Sequence, residues 1–432
     1  MSFKYTEIGK MPVEWDVKMI QEIGEVVSGG TPKTKEDSYW NGNISWITPK
    51  DLSSFTERFI EVGERSITEA GLKNSSAKLL PIGTVLFSSR APIGYIAIAK
   101  KELCTNQGFK NIICDTRYSS NEFLYYMLKD KKNEIESIAG GSTFKEVSGK
   151  VVKEFKIPIP PLNEQKAIAH ILSTLDDKIE VNNQINKTLE NMAQAIFKQW
   201  FVDFEFPNED GEPYKSSGGE MVESELGMIP KGWEVVKLET VCREITRGFT
   251  SKYVEKSRFK NLNQKVNKGE VLEKQYYKFL REDIEIPQNK FVKKYDILLN
   301  SLGQGTLGRL HFFIEDEENV VIDQHITIIR ADHETSFDSY LYHLLSSSKY
   351  TQIFDGLVSG STGMQMLNIS KVRSLTVCMP PVDLQKDFDN RIKTLYKKKE
   401  VLLYENEYLK LIRDSLLPKL MSGEIRVPIN NN

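Results

Sequence analysis

The sequence predicts an α+β protein in which two similar mixed α/β domains are separated by two long helices that form an antiparallel coiled coil. Two observations support this fold class: a long, uninterrupted helical pattern occurs twice, and the segments that precede each copy resemble one another. The chain has 432 residues, which is more than one hydrophobic core usually supports. We therefore expect two globular domains, each followed by its own long helix.

The first long helix is predicted to follow a run of prolines. Pro158, Pro160 and Pro161 disfavour helix before Leu162, and Asn163 is a favoured N-cap residue. Apolar residues then recur in alternating steps of three and four, the 3.5-residue repeat that is typical of a coiled coil. The predicted seam consists of Ile168, Ile171, Leu175, Asn182, Ile185, Leu189, Met192 and Ile196.

A second helix with the same features is predicted near the end of the chain. Two prolines precede Asp383, the expected N-cap, and Pro418 is expected to bend or end the last turn. Antiparallel pairing would place Asn182 opposite Asn406, and a polar pair inside a seam fixes its register. The alternative is two unrelated amphipathic helices, each packed on its own domain. The second seam consists of Phe388, Ile392, Leu395, Leu402, Asn406, Leu409 and Leu416.

An internal repeat organises the rest of the chain. Trp15 matches Trp233, the pair Asn106-Gln107 matches Asp323-Gln324, and the segment GGST at 140–143 matches SGST at 359–362. These matches occur in the same order in both halves, at a spacing of about half the chain. They indicate that one structural unit is repeated. The predicted segments are a first domain (1–160), a first helix (161–205), a flexible linker (206–222), a second domain (223–380), a second helix (381–424) and a tail (425–432).

Composition narrows the classes of function. Hydrophobic residues make up 40% and charged residues 27% of the chain, and no run of 18 apolar residues occurs, so we expect a cytoplasmic protein without a membrane segment. Neither the four cysteines nor the five histidines have metal-ligand spacing, which predicts no metal site. Net charge is −2, yet the segment 241–310 is locally basic, which permits a positive face.

Several motifs resemble those of the specificity subunits of type I restriction-modification systems. They are PLNEQKAIAHILSTLDDKI and KQWFVDF in the first helix, IPKGWEVVKL at the restart, and LLPKLMSGEI near the end. The resemblance implies that each domain is a target recognition domain for one half of a split DNA site, and that the coiled coil sets the spacing. It also implies two methyltransferase subunits, and possibly restriction and translocation subunits, as partners.

The resemblance further implies a subunit without catalytic activity. S-adenosylmethionine, ATP and Mg²⁺ are then expected on the partner subunits, with no cofactor in this chain. The sequence agrees, because it contains no G-x-x-x-x-G-K-[ST] loop and no N-P-P-Y-like tetrapeptide. Two alternatives remain open at this point: a modification or cleavage enzyme with fused recognition domains, and a structural coiled-coil scaffold.

The residues expected to contact DNA are polar or basic and lie in loops of the two domains. Arg, Lys, Asn and Gln read base edges, whereas Lys, Ser, Thr and backbone amides hold phosphates. In the first domain the candidates are Thr31, Lys33, Lys50, Arg90, Gln107, Ser142, Thr143 and Lys145. In the second domain they are Arg247, Lys252, Gln304, Arg309, Gln324, Ser361 and Thr362.

Overall fold

The computed structural model describes residues 2–53, 55–140, 145–303, 305–359 and 366–428. Its contacts divide the chain into two compact units, and each long helix contributes residues to both. Unit 1 comprises Met1–Gln184 and Leu403–Asn432, whereas unit 2 comprises Ile185–Leu402. Unit 1 is therefore built from both ends of the chain, and unit 2 is a continuous segment.

Unit 1 combines short strands with small helices and then enters the first long helix. Its elements are β1 (Phe3–Thr6), β2 (Gly9–Pro12), β3 (Asp16–Met19), α1 (Ile20–Ile23), β4 (Gly24–Ser28), β5 (Trp40–Ile47), β6 (Phe59–Ile60), β7 (Arg65–Ile67), α2 (Glu69–Lys73), β8 (Val85–Ser89), β9 (Ile93–Ala99), β10 (Cys104–Thr105), β11 (Phe109–Cys114), α3 (Asn121–Asp130), α4 (Lys132–Ser137), α5 (Gly149–Glu154), β12 (Lys156–Ile159) and α6 (Leu162–Phe197).

Two sheets form the centre of unit 1. One has five strands in the order β4–β11–β8–β9–β6, and the other has three in the order β10–β5–β7. The larger sheet is antiparallel except where β6 meets β9. Its core joins Phe87 and Ile112 of the sheet to Phe123 and Tyr126 of α3, all of them fully buried.

Unit 2 begins within α6, which continues as a π-helix over Lys198–Val202. Its elements are β13 (Met221–Ser224), β14 (Gly227–Pro230), β15 (Glu234–Lys237), β16 (Cys242–Arg247), β17 (Tyr253–Val254), β18 (Lys260–Leu262), β19 (Lys278–Leu280), β20 (Ile297–Asn300), β21 (Leu310–Phe312), β22 (Val320–Ile322), β23 (Ile326–Ala331), α7 (Asp338–Ser346), α8 (Ser348–Gly356), β24 (Val358–Ser359), β25 (Met366–Leu367), α9 (Ile369–Arg373), β26 (Thr376–Met379) and α10 (Val382–Met421).

The internal repeat is present in the backbone. Unit 1 opens with the hairpin β1–β2 and unit 2 with the hairpin β13–β14. In each unit, the next strand pairs antiparallel with the strand that leads into the long helix, β3 with β12 and β15 with β26. Unit 2 has two four-stranded sheets, β16–β23–β20–β21 and β17–β19–β18–β22. The long helix therefore leaves both units from the same kind of strand pair.

A buried glutamine attaches α6 to the globular part of unit 1. Gln165 is fully buried. Its Oε1 accepts the amide of Ser120 at 3.0 Å, and its Nε2 donates to the carbonyls of Tyr118 and Pro160, both at 2.9 Å. One side chain thus satisfies three backbone groups at the start of the helix.

The second copy of this contact joins α10 to unit 2. Gln385 is also fully buried. Its Oε1 accepts the amide of Phe337 at 3.2 Å, while its Nε2 donates to the carbonyls of Thr335 at 3.3 Å and Pro380 at 2.9 Å. Burial without these bonds would be costly, because an unpaired buried amide loses its hydration without compensation.

The two long helices pair antiparallel. In unit 1, Asn182 donates to Asn406 at 2.9 Å, and Arg413 donates to Asp176 at 2.7 Å. Partner numbers rise along α6 as they fall along α10, so the helices run in opposite directions. The predicted pairing of the two asparagines is present. In unit 2 the same relation brings Lys399 to the buried carboxylate of Glu190 at 2.7 Å.

The seam shifts by one residue from the predicted positions in the second half of α6. Ile185 and Met192 are 37% and 46% exposed, whereas the next residues along, Asn186 and Ala193, are buried. A straight helix has 3.6 residues per turn, so a strict 3.5-residue repeat drifts off the contact face over several turns. The predicted residues Ile168, Asn182, Phe388, Ile392, Leu402 and Asn406 are buried, whereas Ile171, Leu175, Leu189, Ile196, Leu395, Leu409 and Leu416 are partly buried.

Both helices begin two residues earlier than the predicted N-caps, Asn163 and Asp383, would place them. α6 starts at Leu162, where the carbonyl of Pro161 accepts two amides of the first turn at 2.9 and 3.0 Å. Asn163 therefore lies inside the first turn and is not the N-cap. The same holds for Asp383, because α10 starts at Val382. Proline has a fixed φ that suits the start of a helix, which explains the earlier start.

Pro418 does not end the second helix. α10 continues to Met421 with the proline inside it. Leu417, Leu420 and Met421 are buried in the core of unit 1. Their burial offsets the backbone hydrogen bond that proline cannot make.

The tail after α10 also belongs to unit 1. Arg426 donates to both carboxylate oxygens of Glu164, at 2.6 and 3.1 Å, and to Glu14 at 3.0 Å. Trp15 donates its indole N–H to the same Glu164 at 3.0 Å. The C-terminal segment is thereby bonded to the beginning of the chain.

The segment 206–222, predicted to be a flexible linker, is folded. Phe206 stacks on Tyr214 with ring centroids 4.6 Å apart and on Trp233 at 5.6 Å. The hydroxyl of Tyr214 donates to the carbonyl of Glu220 at 2.9 Å. The prediction rested on Gly, Ser and charge, but the aromatic residues between them supply a small core.

We predict that Gln165→Glu lowers the melting temperature far more at pH 8 than at pH 4.5. Burial disfavours the carboxylate, so the folded-state pKa of the new side chain would lie above its usual value of about 4.3. The folded protein would then bind the proton more tightly than the unfolded chain, and stability would fall as pH rises. Thermal melts at both pH values test this.

The matched control is Gln194→Glu, an exposed position on α6. It should show no such difference between the two pH values. An equal loss at both pH values for Gln165→Glu would contradict the role of the buried amide.

We predict that Asn182→Leu and Asn406→Leu each destabilise the chain, whereas the double variant recovers that loss. Asn182→Leu leaves the buried Oδ1 of Asn406 without its donor from Asn182, and Asn406→Leu leaves Asn182 with its bond to Glu405 alone, at a cost of about 1–3 kcal/mol. The double change places two leucines in contact between α6 and α10, and it removes only the polar pair that fixes the register of the two helices. Denaturant unfolding of the three variants measures the coupling, and a double variant less stable than either single one would exclude the pairing.

Candidate nucleic-acid interface

A tight turn between β10 and β11 presents Gln107 at the surface of unit 1. The side chain of Asn106 accepts the amide of Gly108 at 2.9 Å, which makes an Asx turn. The amide of Asn106 donates to the carbonyl of Ile47 at 2.9 Å, so β5 holds the turn in place. Gln107 itself is exposed. The turn therefore offers a side-chain amide on a fixed backbone.

The end of β4 packs against this turn. The amide of Gly30 donates to the carbonyl of Thr105 at 2.9 Å, and that of Gly29 to the carbonyl of Phe109 at 3.3 Å. The hydroxyl of Thr31, which follows, donates to Oε1 of Gln107. Thr31 and Gln107, both predicted to contact DNA, are thus brought together.

Unit 2 contains the same turn between β22 and β23. The side chain of Asp323 accepts the amide of His325 at 2.8 Å, and Gln324 between them is exposed. The turn separates β22 from β23. Gln324 therefore stands where Gln107 stands in unit 1.

The strand end that packs on this second turn is also repeated. The amide of Gly248 donates to the carbonyl of Ile326 at 3.1 Å, and the amide of Phe249 donates to the carbonyl of Ile322 at 3.4 Å. These bonds correspond one for one to those of Gly29 and Gly30. The two units share both the turn and the strand that supports it.

Glycine is required where strand and turn meet. A Cβ atom on Gly29 would lie 2.0 Å from the carbonyl oxygen of Asn106, and one on Gly248 would lie 2.1 Å from that of Ile322. Both contacts are with backbone, which cannot move aside without opening the turn. Each unit therefore keeps a glycine at this position for steric reasons.

A second loop lies beside the turn in unit 1. The amide of Ser89 donates to the carbonyl of Gly108 at 2.7 Å, and the amide of Val147 donates to the carbonyl of Ser89 at 2.9 Å. Arg90 is half-exposed and lies 3.4 Å from the carboxylate of Glu146. The predicted Arg90 thus comes from a loop that is bonded to the Gln107 turn.

The equivalent loop of unit 2 is held in the same way. The amide of Ser301 donates to the carbonyl of His325 at 2.7 Å, and the amide of Leu367 donates to the carbonyl of Ser301 at 2.9 Å. The guanidinium of Arg247 donates to the carbonyl of Leu367 and lies 3.4 Å from the sulfur of Met366. Arg247 therefore supports this loop, and burial lowers the pKa of its guanidinium.

The remaining described candidates differ in what they contact. Lys33, Lys145 and Lys252 are exposed. Lys50 lies 2.6 Å from Glu64, and this hydrogen bond and charge raise the pKa of the exposed lysine. Arg309 donates to the carbonyl of Gly305 at 2.9 Å. The other candidates, Ser142, Thr143, Gln304, Ser361 and Thr362, lie outside the described residues.

One residue was missed by the sequence analysis. Thr250 follows Gly248 by two positions, as Thr31 follows Gly29, and Lys252 and Lys33 come two residues later again. Thr250 is exposed. The signal was present in the sequence as a repeated G-x-T-x-K, which aligns the two copies at this point.

The surface chemistry of these loops is that of hydrogen bonding and positive charge. Amides, hydroxyls and ammonium groups of this kind bind base edges and phosphates. Across the described residues, no three or more His, Cys, Asp or Glu side chains come together as metal ligands would. In the same ranges, no helix combines the length and apolar character needed to cross a bilayer.

Comparison with known proteins identifies the family to which the chain is similar. The family model described as "Type I restriction modification DNA specificity domain" matches residues 12–191 and 230–407. The chain is 37% identical over 438 residues to the type I restriction enzyme MjaIX specificity subunit of Methanocaldococcus jannaschii, covering 98% of this chain and 96% of that protein. It is 24% identical to the HindI specificity subunit of Haemophilus influenzae, covering 89% and 94% of the two chains.

A solved structure has the same fold. The crystal structure of the S subunit of a type I restriction-modification system from M. genitalium matches with a TM-score of 0.56 at 17% identity, covering 97% of this chain and 98% of that one. The family model matches each of the two repeats separately, and it covers both Gln107 and Gln324. The chain therefore belongs to the family of type I restriction-modification DNA specificity proteins.

Proposed function

We propose that the chain is the DNA sequence-specificity subunit of a type I restriction-modification complex and recognises a two-part DNA site. Each unit contacts one half-site. The observation that carries the proposal is the turn-and-strand element that occurs once in each unit, with an exposed glutamine at the same place. Family membership supports it, because the relatives are named specificity subunits.

Differences around the shared turn support a different sequence for each half-site. Unit 1 has Arg90 directly after Ser89, whereas unit 2 has Leu302 directly after Ser301. An arginine can make a bidentate contact with guanine, which leucine cannot. The two units therefore have a common framework and unequal contacts.

The long helices are proposed to set the distance between the half-sites. α6 has 36 residues and α10 has 40. At about 1.5 Å per residue, they are about 54 and 60 Å long. Half-sites on one face of B-DNA lie roughly 34–36 Å apart, so helices of this length have the required scale.

Catalysis is proposed to reside in partner subunits. The partners are two methyltransferase subunits and, in a full complex, restriction and translocation subunits that would use S-adenosylmethionine, ATP and Mg²⁺. The chain would work in the cytoplasm, where DNA is accessible. An apolar surface of α10 in unit 1 is available for a partner, since Tyr408 and Leu411 are 66% and 71% exposed. Apolar residues this exposed on one helix face favour a protein interface.

We predict that lengthening both helices changes the spacing of the recognised site. Seven residues inserted after Asn183 and seven after Tyr404 add about 10.5 Å to each helix and keep the contact face. At 3.4 Å per base pair, the gap should grow by about three base pairs while the outer bases stay the same. Selection of binding sites from random DNA, with the methyltransferase partner present, measures both.

The control is a chain with seven residues added after Asn432, which should select the original gap. An unchanged gap in the lengthened helices would exclude the spacing role. A wild-type complex that selects no split site would exclude the proposed function as a whole.

We predict that Leu411→Asp prevents assembly with the methyltransferase subunits and leaves the chain folded. The side chain is exposed, so its replacement should cost the isolated chain little stability, whereas a buried charge at an interface weakens binding by a factor of ten or more. Size-exclusion chromatography of the mixed subunits tests the complex. Lys410→Asp, at the adjacent exposed position, is the control and should assemble; assembly of the Leu411 variant would place the interface elsewhere.

A further inference from the structure

The element common to the two units suggests a contact that is common to the two half-sites. This inference rests on the proposed function. In both units it consists of a glycine at the strand end, a threonine and a lysine at two-residue steps, and a glutamine on the facing turn. The residues are Gly29, Thr31, Lys33 and Gln107 in unit 1, and Gly248, Thr250, Lys252 and Gln324 in unit 2.

Several neighbours of this element differ between the units. Gly30 corresponds to Phe249, Gly108 to His325, and the residue after the paired serine is Arg90 in one unit and Leu302 in the other. Steric need explains the glycines, because a side chain there would meet backbone at about 2 Å. The two glutamines and the two lysines are exposed and have no such structural reason. Their recurrence on a surface that otherwise differs points to a ligand feature met by both units.

The glutamine amide is held in a defined orientation. In unit 1, the hydroxyl of Thr31 donates to Oε1 of Gln107, which fixes the position of the amide on the turn. One lone pair of Oε1 and both hydrogens of Nε2 remain for a ligand. This leaves a donor and an acceptor side by side in one plane at the tip of a fixed turn.

Adenine is the base that matches this pattern in the major groove. It presents the N7 acceptor beside the N6 donor, and glutamine makes a bidentate contact with both. Guanine presents two acceptors there, and cytosine presents one donor. A neighbouring lysine supplies the charge for the adjacent phosphate.

We propose that Gln107 and Gln324 each read an adenine at corresponding positions of the two half-sites. Thr31 orients the amide of Gln107, Thr250 occupies the corresponding position in unit 2, and Lys33 and Lys252 contact the phosphate next to that base. The adenine is then the part of the site that does not vary between the halves. Arg90 and the other unequal residues supply what distinguishes them.

The test is a change of one glutamine to glutamate in the chain assembled with its methyltransferase partner. A carboxylate accepts hydrogen bonds only, so it pairs with N4 of cytosine and loses the contact with adenine N7. In selection from random DNA, Gln107→Glu should replace adenine by cytosine at one position of the first half-site, with a change in preference of about tenfold. The second half-site should be unchanged.

Gln324→Glu is the matched experiment, and it should alter the second half-site alone. Lys33→Ala separates phosphate from base contacts, because it should weaken binding to every sequence equally. Gln194→Glu, on the surface of α6, controls for the added negative charge and should leave both half-sites as they are.

Retention of adenine at every position in both glutamate variants would overturn the inference. So would an equal loss of affinity for all sequences, which would assign the glutamines to the DNA backbone. If the wild-type complex selects a split site and the glutamate variants do not change it, the proposed function stands and this inference falls. If the wild-type complex selects no site, the proposed function itself fails.

Discussion

The structure depends on a buried glutamine that joins each long helix to its globular part. Gln165 and Gln385 make the same three kinds of backbone bond, two donated and one accepted, in two separate units. An apolar residue could fill the space but would leave those backbone groups unpaired, which costs more than the packing gains. Hydrogen bonding at one residue therefore contributes to the direction in which each helix leaves its unit.

This attachment allows the two units to diverge elsewhere. The strand pairs next to the helices, β3–β12 and β15–β26, keep the same register, whereas the outer sheets differ in strand number and order. At the outer surface, the glycine, threonine, lysine and glutamine of the turn element recur. A rigid inner part combined with a variable outer part suits a protein that must recognise different sequences with one architecture.

Features that repeat or pair could be predicted from the sequence, and features set by local packing could not. The pairing of Asn182 with Asn406 followed from two seams read in opposite directions, and the structure has it. The shift of the buried position from Ile185 to Asn186 could not be predicted, because a heptad count does not show over what length a helix stays straight. The segment 206–222 was predicted to be a flexible linker, because the stacking of Phe206 on Tyr214 and Trp233 is a tertiary contact that composition does not reveal. Thr250 was overlooked, although its repeat was visible, because the copies were aligned on longer matches.

The discontinuity of unit 1 has a consequence for the order in which the protein is made. Its core joins Met11 and Trp15 to Leu417, Leu420 and Met421, and Arg426 closes onto Glu164. Unit 2 lies wholly within Ile185–Leu402. On a ribosome, domains usually become native from the N-terminus onward. Here the middle of the polypeptide can fold first, and the core of unit 1 is complete only after the end of α10 has been synthesised.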